Sequence, residues 1–134
     1  MDVFLVGNAL VPQDSLPLRL QPRLEQAFPA LRFRELDPTE DIPEHHPLVL
    51  VDTVQGISQV QVFRSLDPFL RERRVSLHDA DLGFTLQLMQ KAGKLGSLTI
   101  IGIPQGMGVE RAFSGVRDAL ETVFKHQGDC LSPT

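Results

Sequence analysis

Three residues of this sequence have side chains that could bind one metal ion together. Asp14 follows an apolar run that starts at Val3, Asp52 closes the run at residues 48–51, and His78 lies just before a helix-like pattern. Two carboxylates and an imidazole suit nickel, zinc, iron or manganese, and three protein ligands leave positions open for water or a substrate group. Aspartate also caps helices in α/β proteins, so the residue types alone leave a capping role open.

The other histidines and the cysteine fit a ligand role less well. His45 and His46 are adjacent, so on a strand they would point to opposite faces, and the sequence favours a solvated loop for them. His126 follows the last helical pattern, where a charged ring would favour the helix dipole. Cys130 is the single cysteine, which excludes an internal disulfide framework and a cysteine-clustered zinc site.

Size and composition favour one soluble domain. The 134 residues are 42% hydrophobic and 22% charged, enough for one buried core. The net charge of −4 argues against nucleic-acid binding, and the short cluster of Arg71, Arg73 and Arg74 is expected to be a solvated face or a contact for an acidic patch on a partner. Because no apolar stretch approaches about 20 residues, membrane insertion is not expected, and a reducing cytoplasm suits the cysteine content.

The elements that would position the three candidate ligands alternate along the chain. Apolar or alternating runs predict strands at residues 3–6, 31–36, 48–51, 58–62 and 98–103, with Asp52 at the carboxyl end of the third. Helical spacing predicts helices at residues 15–28, 79–92 and 109–124, the first kinked or split at Pro22. Residues 64–74 are expected to be irregular and at the surface.

Alternating strands and amphipathic helices predict an α/β protein, a three-layer α/β/α sandwich with a mostly parallel sheet of about five strands. In such sheets, ligands bind beyond the carboxyl ends of the strands, where Asp14, Asp52 and His78 are expected. The sequence has no H-E-x-x-H helix, no G-x-S-x-G elbow and no glycine-rich phosphate loop, so it does not favour a zincin, a serine hydrolase or a nucleotide-binding protein.

Four segments resemble the hydrogenase maturation endopeptidases, in the same order along the chain. Residues 7–14, GNALVPQD, resemble that family's opening motif G-N-x-L-x-x-D-[DE]-G-x-G. The run LVLVD, ending at Asp52, and residues 76–79, SLHD, are similar to its second apolar strand and its S-x-H-[DE] segment. Residues 100–105, IIGIPQ, resemble its I-G-I-Q-P strand. The resemblance runs from residue 3 to about residue 106.

The resemblance implies that residues 1–134 form one hydrogenase maturation protease-like domain with a phosphorylase/hydrolase-like fold. It implies an endopeptidase that removes the C-terminal extension of a nickel-iron hydrogenase large-subunit precursor after nickel insertion. Asp14, Asp52 and His78 would be both the catalytic residues and the metal ligands. The precursor would supply the nickel as the recognition element, although another divalent metal would also suit these ligands. A monomer is the default expectation.

The chain departs from the family pattern around the first ligand. Gln13 replaces an aspartate, and Ser15 and Pro17 replace two glycines, while Gly56 is the only glycine near the second ligand. Glycine reaches positive φ at low cost, whereas proline is fixed near −65° and lacks an amide donor, so the backbone here must approach a substrate differently. The alternative is therefore a non-catalytic protein of the same fold that binds metal or precursor during assembly.

Overall fold

The described residues form six strands and four helices, most of which the period-two and helical patterns of the sequence predict. The computed structural model describes residues 1–7, 15–36, 42–71, 76–77 and 80–126. The strands are β1 (Asp2–Leu5), β2 (Arg32–Glu35), β3 (Leu48–Gln55), β4 (Gln61–Phe63), β5 (Ser76–Leu77) and β6 (Leu98–Pro104). The helices are α1 (Leu16–Ala27), α2 (Asp67–Arg71), α3 (Ala80–Lys91) and α4 (Val109–His126).

The sheet is mixed, with the strand order β2-β1-β3-β6-β4. The first four of these strands run parallel, β4 pairs with β6 in the antiparallel sense, and the two-residue β5 pairs antiparallel with β3. With helices on both faces, this arrangement confirms the predicted three-layer sandwich. The sequence did not predict β5, because two residues are too few to display a periodic pattern.

Each face of the sheet has its own apolar core. Successive residues of a strand point to opposite faces, so Val49 and Val51 pack against α1 and α4, whereas Leu48 and Leu50 pack on the other side. The second core also contains Leu82 and Leu86 of α3 together with Phe63 and Leu66 beside α2. Below, the two sides are called the α1/α4 face and the α2/α3 face.

Two sequence expectations need correction. Pro22 does not split the first helix, which continues to Ala27 and is anchored by the buried Leu20 and Leu24. The segment that was expected to be irregular and at the surface contains α2 and the buried Leu66, while Phe69 packs on Phe63 with ring centroids 4.7 Å apart. Leu66 and Phe69 have a helical spacing, but over a single turn, which is too short to show a period, so the charged residues around them dominated the prediction.

Arg23 of α1 contacts two side chains of α4 and so links the two helices. Arg23 of α1 forms an ion pair with Glu110 of α4, with 2.6 Å between Nη1 and Oε2. Its guanidinium also lies 4.0 Å from the centre of the Phe113 ring. The pair is solvent-exposed and contributes little stability by itself, but the buried face of α4 covers α1 and the sheet.

Among the described residues, no helix is long and apolar enough to cross a membrane.

Candidate active site

Asp52 lies within β3 and not at its end, which corrects the sequence prediction. The strand continues through Thr53 and Val54 to Gln55. Val51 accepts a hydrogen bond at its carbonyl from Val6, just after β1, and Val54 accepts one from Gln105, just after β6. The backbone N–H and carbonyl groups of successive residues in a strand point to opposite sides. Those of Val51 and Thr53 therefore point towards β1, and those of Asp52 and Val54 point towards β6.

The sheet is interrupted on one side of β3, next to Asp52. Strand β1 stops pairing at Leu5, opposite Val51. Strand β5 pairs with β3 only from Leu77, opposite Val54. Because β6 occupies the other side of β3 throughout, β5 and β1 approach β3 on the same side from opposite directions. Among the described residues, none pairs with β3 between these two ends, beside Asp52 and Thr53, and we call this stretch the sheet break.

The Asp52 carboxylate satisfies a backbone donor that the sheet break exposes. Its Oδ1 accepts a hydrogen bond from the Thr53 N–H at 2.7 Å, a donor that faces the side where β1 has already ended. Asp52 is 2% exposed, and its side chain points to the α2/α3 face, like those of Leu50 and Val54. A buried carboxylate in this position is held by the backbone and attracts a cation more strongly than an exposed one.

The Thr53 side chain points to the opposite face, towards α1 and α4. It is 1% exposed, and among the described residues none makes a hydrogen bond with its Oγ1 atom. Burying a hydroxyl without a partner costs stability. Asp52 and Thr53 thus place two polar groups on the two faces of the sheet, where Thr99 of β6 is the other buried polar residue among the described strands.

Gly102 of β6 pairs with Asp52, and its lack of a side chain is required there. A Cβ atom at this position would lie 2.8 Å from Val54 Cγ2, 3.1 Å from Phe63 Cε2 and 3.3 Å from Ile57 Cδ1. Only glycine therefore lets these three side chains pack together beside Asp52. The sequence analysis missed this role, although a glycine within a β-branched run is a signal of close approach.

Asp14 and His78 lie outside the described residues, so the meeting of the three candidate ligands stays a prediction. Their chain neighbours are described: Ser15 precedes the first turn of α1, and Leu77 ends β5. Within the described ranges, no group of three or more His, Cys, Asp or Glu residues could hold a metal ion. This finding does not bear on the predicted set, because two of its three members are not included.

The minor candidates are placed as follows. His45 and His46 are exposed in a loop, as predicted, where the His45 amide donates to the Lys94 carbonyl at 2.8 Å. Arg71 ends α2 and His126 ends α4. Arg73, Arg74 and Cys130 lie outside the described residues.

Comparisons with known proteins identify the fold. Hydrogenase maturating endopeptidase HybD from E. coli aligns with a TM-score of 0.66 at 18% identity, over 95% of this chain and 93% of that one. The [NiFe] hydrogenase maturation protease HybD from Thermococcus kodakarensis aligns with a TM-score of 0.61 at 18% identity, over 93% and 97%. An endopeptidase from Escherichia coli aligns with a TM-score of 0.68 at 15% identity, over 96% and 94%.

By sequence, the chain matches no protein-family model and no curated protein. The structural alignments span nearly the whole of both chains in each pair, so the likeness is not limited to a shared βαβ unit. The chain has the fold of the hydrogenase maturation endopeptidases.

Proposed function

We propose that this protein is a cytoplasmic endopeptidase that acts as a monomer and removes the C-terminal extension of a nickel-iron hydrogenase large-subunit precursor. Nickel in the precursor is the recognition element and belongs to the substrate. Asp14, Asp52 and His78 are the ligands that meet it, and another divalent metal would fit the same ligands. The fold neighbours, which are named as hydrogenase maturation proteases, support this general function.

The observation that carries the proposal is the sheet break at Asp52. The chain leaves β1 towards residues 8–14, which end in Asp14, and it leaves β5 at Leu77 directly towards His78. Both departures occur beside Asp52, on the same side of β3. Leu77 pairs with Val54, which is two positions beyond Asp52 in β3. Because consecutive Cα atoms are about 3.8 Å apart, His78 follows Leu77 at that distance.

The roles follow from the residue types. The two aspartates supply negative charge, and the histidine supplies a neutral nitrogen. The buried position of Asp52 excludes water and fixes the carboxylate through the Thr53 amide, so it needs little reorganisation when a cation arrives. Two routes of peptide-bond hydrolysis are compatible with this arrangement: the metal would polarise the carbonyl that is attacked, or it would activate the attacking water.

A second candidate is a non-catalytic assembly protein that binds the precursor or its metal. The observation that favours it is Pro17, which lies buried in the first turn of α1, three residues after the predicted ligand Asp14. The first turn of a helix normally offers free amide donors, and proline removes one of them. A substrate carbonyl or developing oxyanion near this helix therefore has fewer donors to bind than in a glycine-containing loop.

The test is to incubate the purified protein with nickel-loaded and nickel-free precursor of the hydrogenase large subunit from the same organism and to measure intact masses. Loss of a C-terminal peptide from the loaded form alone supports the endopeptidase. Binding of the loaded precursor without any mass change supports the assembly protein. Equal cleavage of both forms contradicts nickel recognition.

A further inference from the structure

Thr53 of β3 has a buried hydroxyl that the packing of the fold does not use. The side chain is 1% exposed, and none of the described residues makes a hydrogen bond with its Oγ1 atom. A buried hydroxyl without a partner lowers stability, and valine has a similar shape without that cost. Packing of the core alone therefore gives no reason for a threonine at this position.

The other buried threonine of the described strands has a hydrogen-bonded hydroxyl. Thr99 of β6 is 5% exposed, and it alternates with neighbours so that it lies on the α1/α4 face, as Thr53 does. Its Oγ1 atom accepts a hydrogen bond from Arg64 Nη1 at 3.4 Å. The two threonines thus share burial and face but differ in hydrogen bonding, which makes Thr99 a matched control for Thr53.

The backbone of Thr53 already holds one residue of the candidate metal site. Its N–H points towards the sheet break and donates to Asp52 Oδ1 at 2.7 Å. The Asp52 carboxylate therefore lies next to the sheet break. Thr53 is bonded to one predicted ligand through its backbone, while no described residue bonds to its hydroxyl.

The pairing of β5 with β3 leads directly towards Thr53. Gln55 pairs with Ser76 and Val54 with Leu77, so each step forward along β5 is one step back along β3. The Leu77 side chain packs in the core of the α2/α3 face together with that of Val54. One further step brings the residue after Leu77 opposite Thr53. Residues directly opposite in an antiparallel pair have side chains on the same face, with Cβ atoms about 4.5–5.5 Å apart.

We propose that Thr53 is a positioning residue for the predicted metal ligand His78. When a metal ion binds one nitrogen of the imidazole, the N–H of the other nitrogen donates to Thr53 Oγ1. The inference rests on the proposed function, because it takes His78 as a ligand of the nickel; His78 lies outside the described residues, and its place opposite Thr53 is part of the proposal. Metal-bound histidines almost always donate their second ring N–H to an acceptor, which fixes the ring and its tautomer.

The sheet break is where such a ring would lie. None of the described residues pairs with β3 there, beside Asp52 and Thr53. The side chains of these two residues point to opposite faces of the sheet, and the two nitrogens of an imidazole are on different sides of the ring. One nitrogen can therefore meet a metal ion beside the carboxylate while the other meets the hydroxyl. Thr53 would then fix both ligands, Asp52 through its N–H and His78 through its Oγ1.

The test is a calorimetric titration of the full, purified protein with Ni²⁺ alone. Thr53→Val should lower the nickel affinity about tenfold or more, because loss of a partner that orients a metal ligand typically costs about 10–100-fold. Thr53→Ser keeps a hydroxyl and should bind nickel nearly as well as the wild type. The matched control Thr99→Val should leave the nickel affinity unchanged, although it loses a hydrogen bond.

Stability and spectroscopy separate this role from a purely structural one. Without metal, Thr53→Val should resist urea at least as well as the wild type, because it removes a hydroxyl for which the described residues offer no partner. Weaker nickel binding by a variant of equal or higher stability does not come from partial unfolding. In NMR spectra of the complex with the diamagnetic ion Zn²⁺, a slowly exchanging ring N–H of His78 should appear in the wild type and be absent in Thr53→Val.

Two results would overturn the proposal. One is equal nickel affinity of the wild type and Thr53→Val while His78→Ala binds more weakly, and the predicted ligands would then stand without Thr53. The other is that nickel fails to bind, or binds equally well to His78→Ala, which would remove His78 from the proposed site as well. The titration involves no cleavage. The expected affinities without any processing of the precursor would therefore support the role of Thr53 and count against the endopeptidase alone.

Discussion

The two halves of β3 serve different purposes. Residues 48–51 pair with β6, residues 49–51 also pair with β1 on the other side, and all four have buried apolar side chains. Residues 52–54 keep their pairing with β6, whereas on the other side the sheet break is followed by β5, which pairs with residues 54 and 55. The buried polar residues of this strand, Asp52 and Thr53, lie in its second half. The comparison indicates that the first half stabilises the fold, whereas the second half carries the buried polar residue that we propose as a metal ligand.

The largest expected effect comes from the first half. Leu50 is fully buried between the sheet and α3, so Leu50→Ala should lower the free energy of unfolding by about 2–5 kcal/mol. Urea denaturation followed by circular dichroism measures this loss. The exposed Leu88 of α3 is the matched control, and Leu88→Ala should cost less than about 1 kcal/mol. Equal losses for the two variants would contradict the assignment of Leu50 to the core.

Asp52, in the second half, should respond in activity and not in stability. Asp52→Asn should lower the rate of precursor processing by about 100-fold or more, because an amide is a much weaker metal ligand than a carboxylate. Its Oδ1 atom can still accept the Thr53 amide, so the melting temperature should stay close to that of the wild type. Glu121→Gln makes the same charge change at an exposed position on α4 and should process normally. Unchanged processing by Asp52→Asn would remove Asp52 from the site.

Gly102, which pairs with Asp52, should tolerate no added methyl group. Gly102→Ala would press on Val54 and Phe63 and should lower the free energy of unfolding by about 1–3 kcal/mol. Gly83 in α3 is the matched control, because a Cβ atom there meets only Leu77 Cδ1 at 3.8 Å. Gly83→Ala should instead stabilise the protein by about 0.5–1 kcal/mol, through helix propensity. Thermal or urea melts of both variants would show opposite signs, and equal signs would contradict the packing argument.

The smallest effect concerns the second polar group of the sheet break. Thr53→Val replaces a buried hydroxyl, for which the described residues provide no hydrogen-bond partner, by a methyl group of similar size. The free energy of unfolding should therefore rise by about 1 kcal/mol. Thr99 is the matched control, because its Oγ1 accepts a 3.4 Å hydrogen bond from Arg64, so Thr99→Val should lose about 0.5–1.5 kcal/mol. A loss of stability in Thr53→Val would show that its hydroxyl has a partner.

Much of the fold could be predicted from periodicity. The buried strands and the long helices, such as α4, show strong patterns, and each was located to within a few residues. β3 was predicted too short because Asp52 was taken as an end signal, although Thr53 and Val54 continue the β-branched run. Short elements such as α2 and β5 form through tertiary contacts, which sequence patterns do not record.

The candidate site was predictable only in part. Asp52 was found because it interrupts an apolar run, and its burial confirms that the position is unusual. The sheet break could not be predicted, since it depends on where β1 and β5 stop pairing with β3. Asp14, Asp52 and His78 all remain predicted ligands.

The ion pair between Arg23 and Glu110 has a consequence for how the chain folds. These residues are 87 positions apart, and the helices that carry them cover the same apolar face. Until α4 arrives, Leu20 and Leu24 of α1 have only part of their final cover. Contacts of such long sequence separation slow folding, because the closing loop loses entropy before it gains burial. During synthesis α1 therefore emerges well before α4, and its leucine-lined face stays exposed to solvent until α4 packs on it.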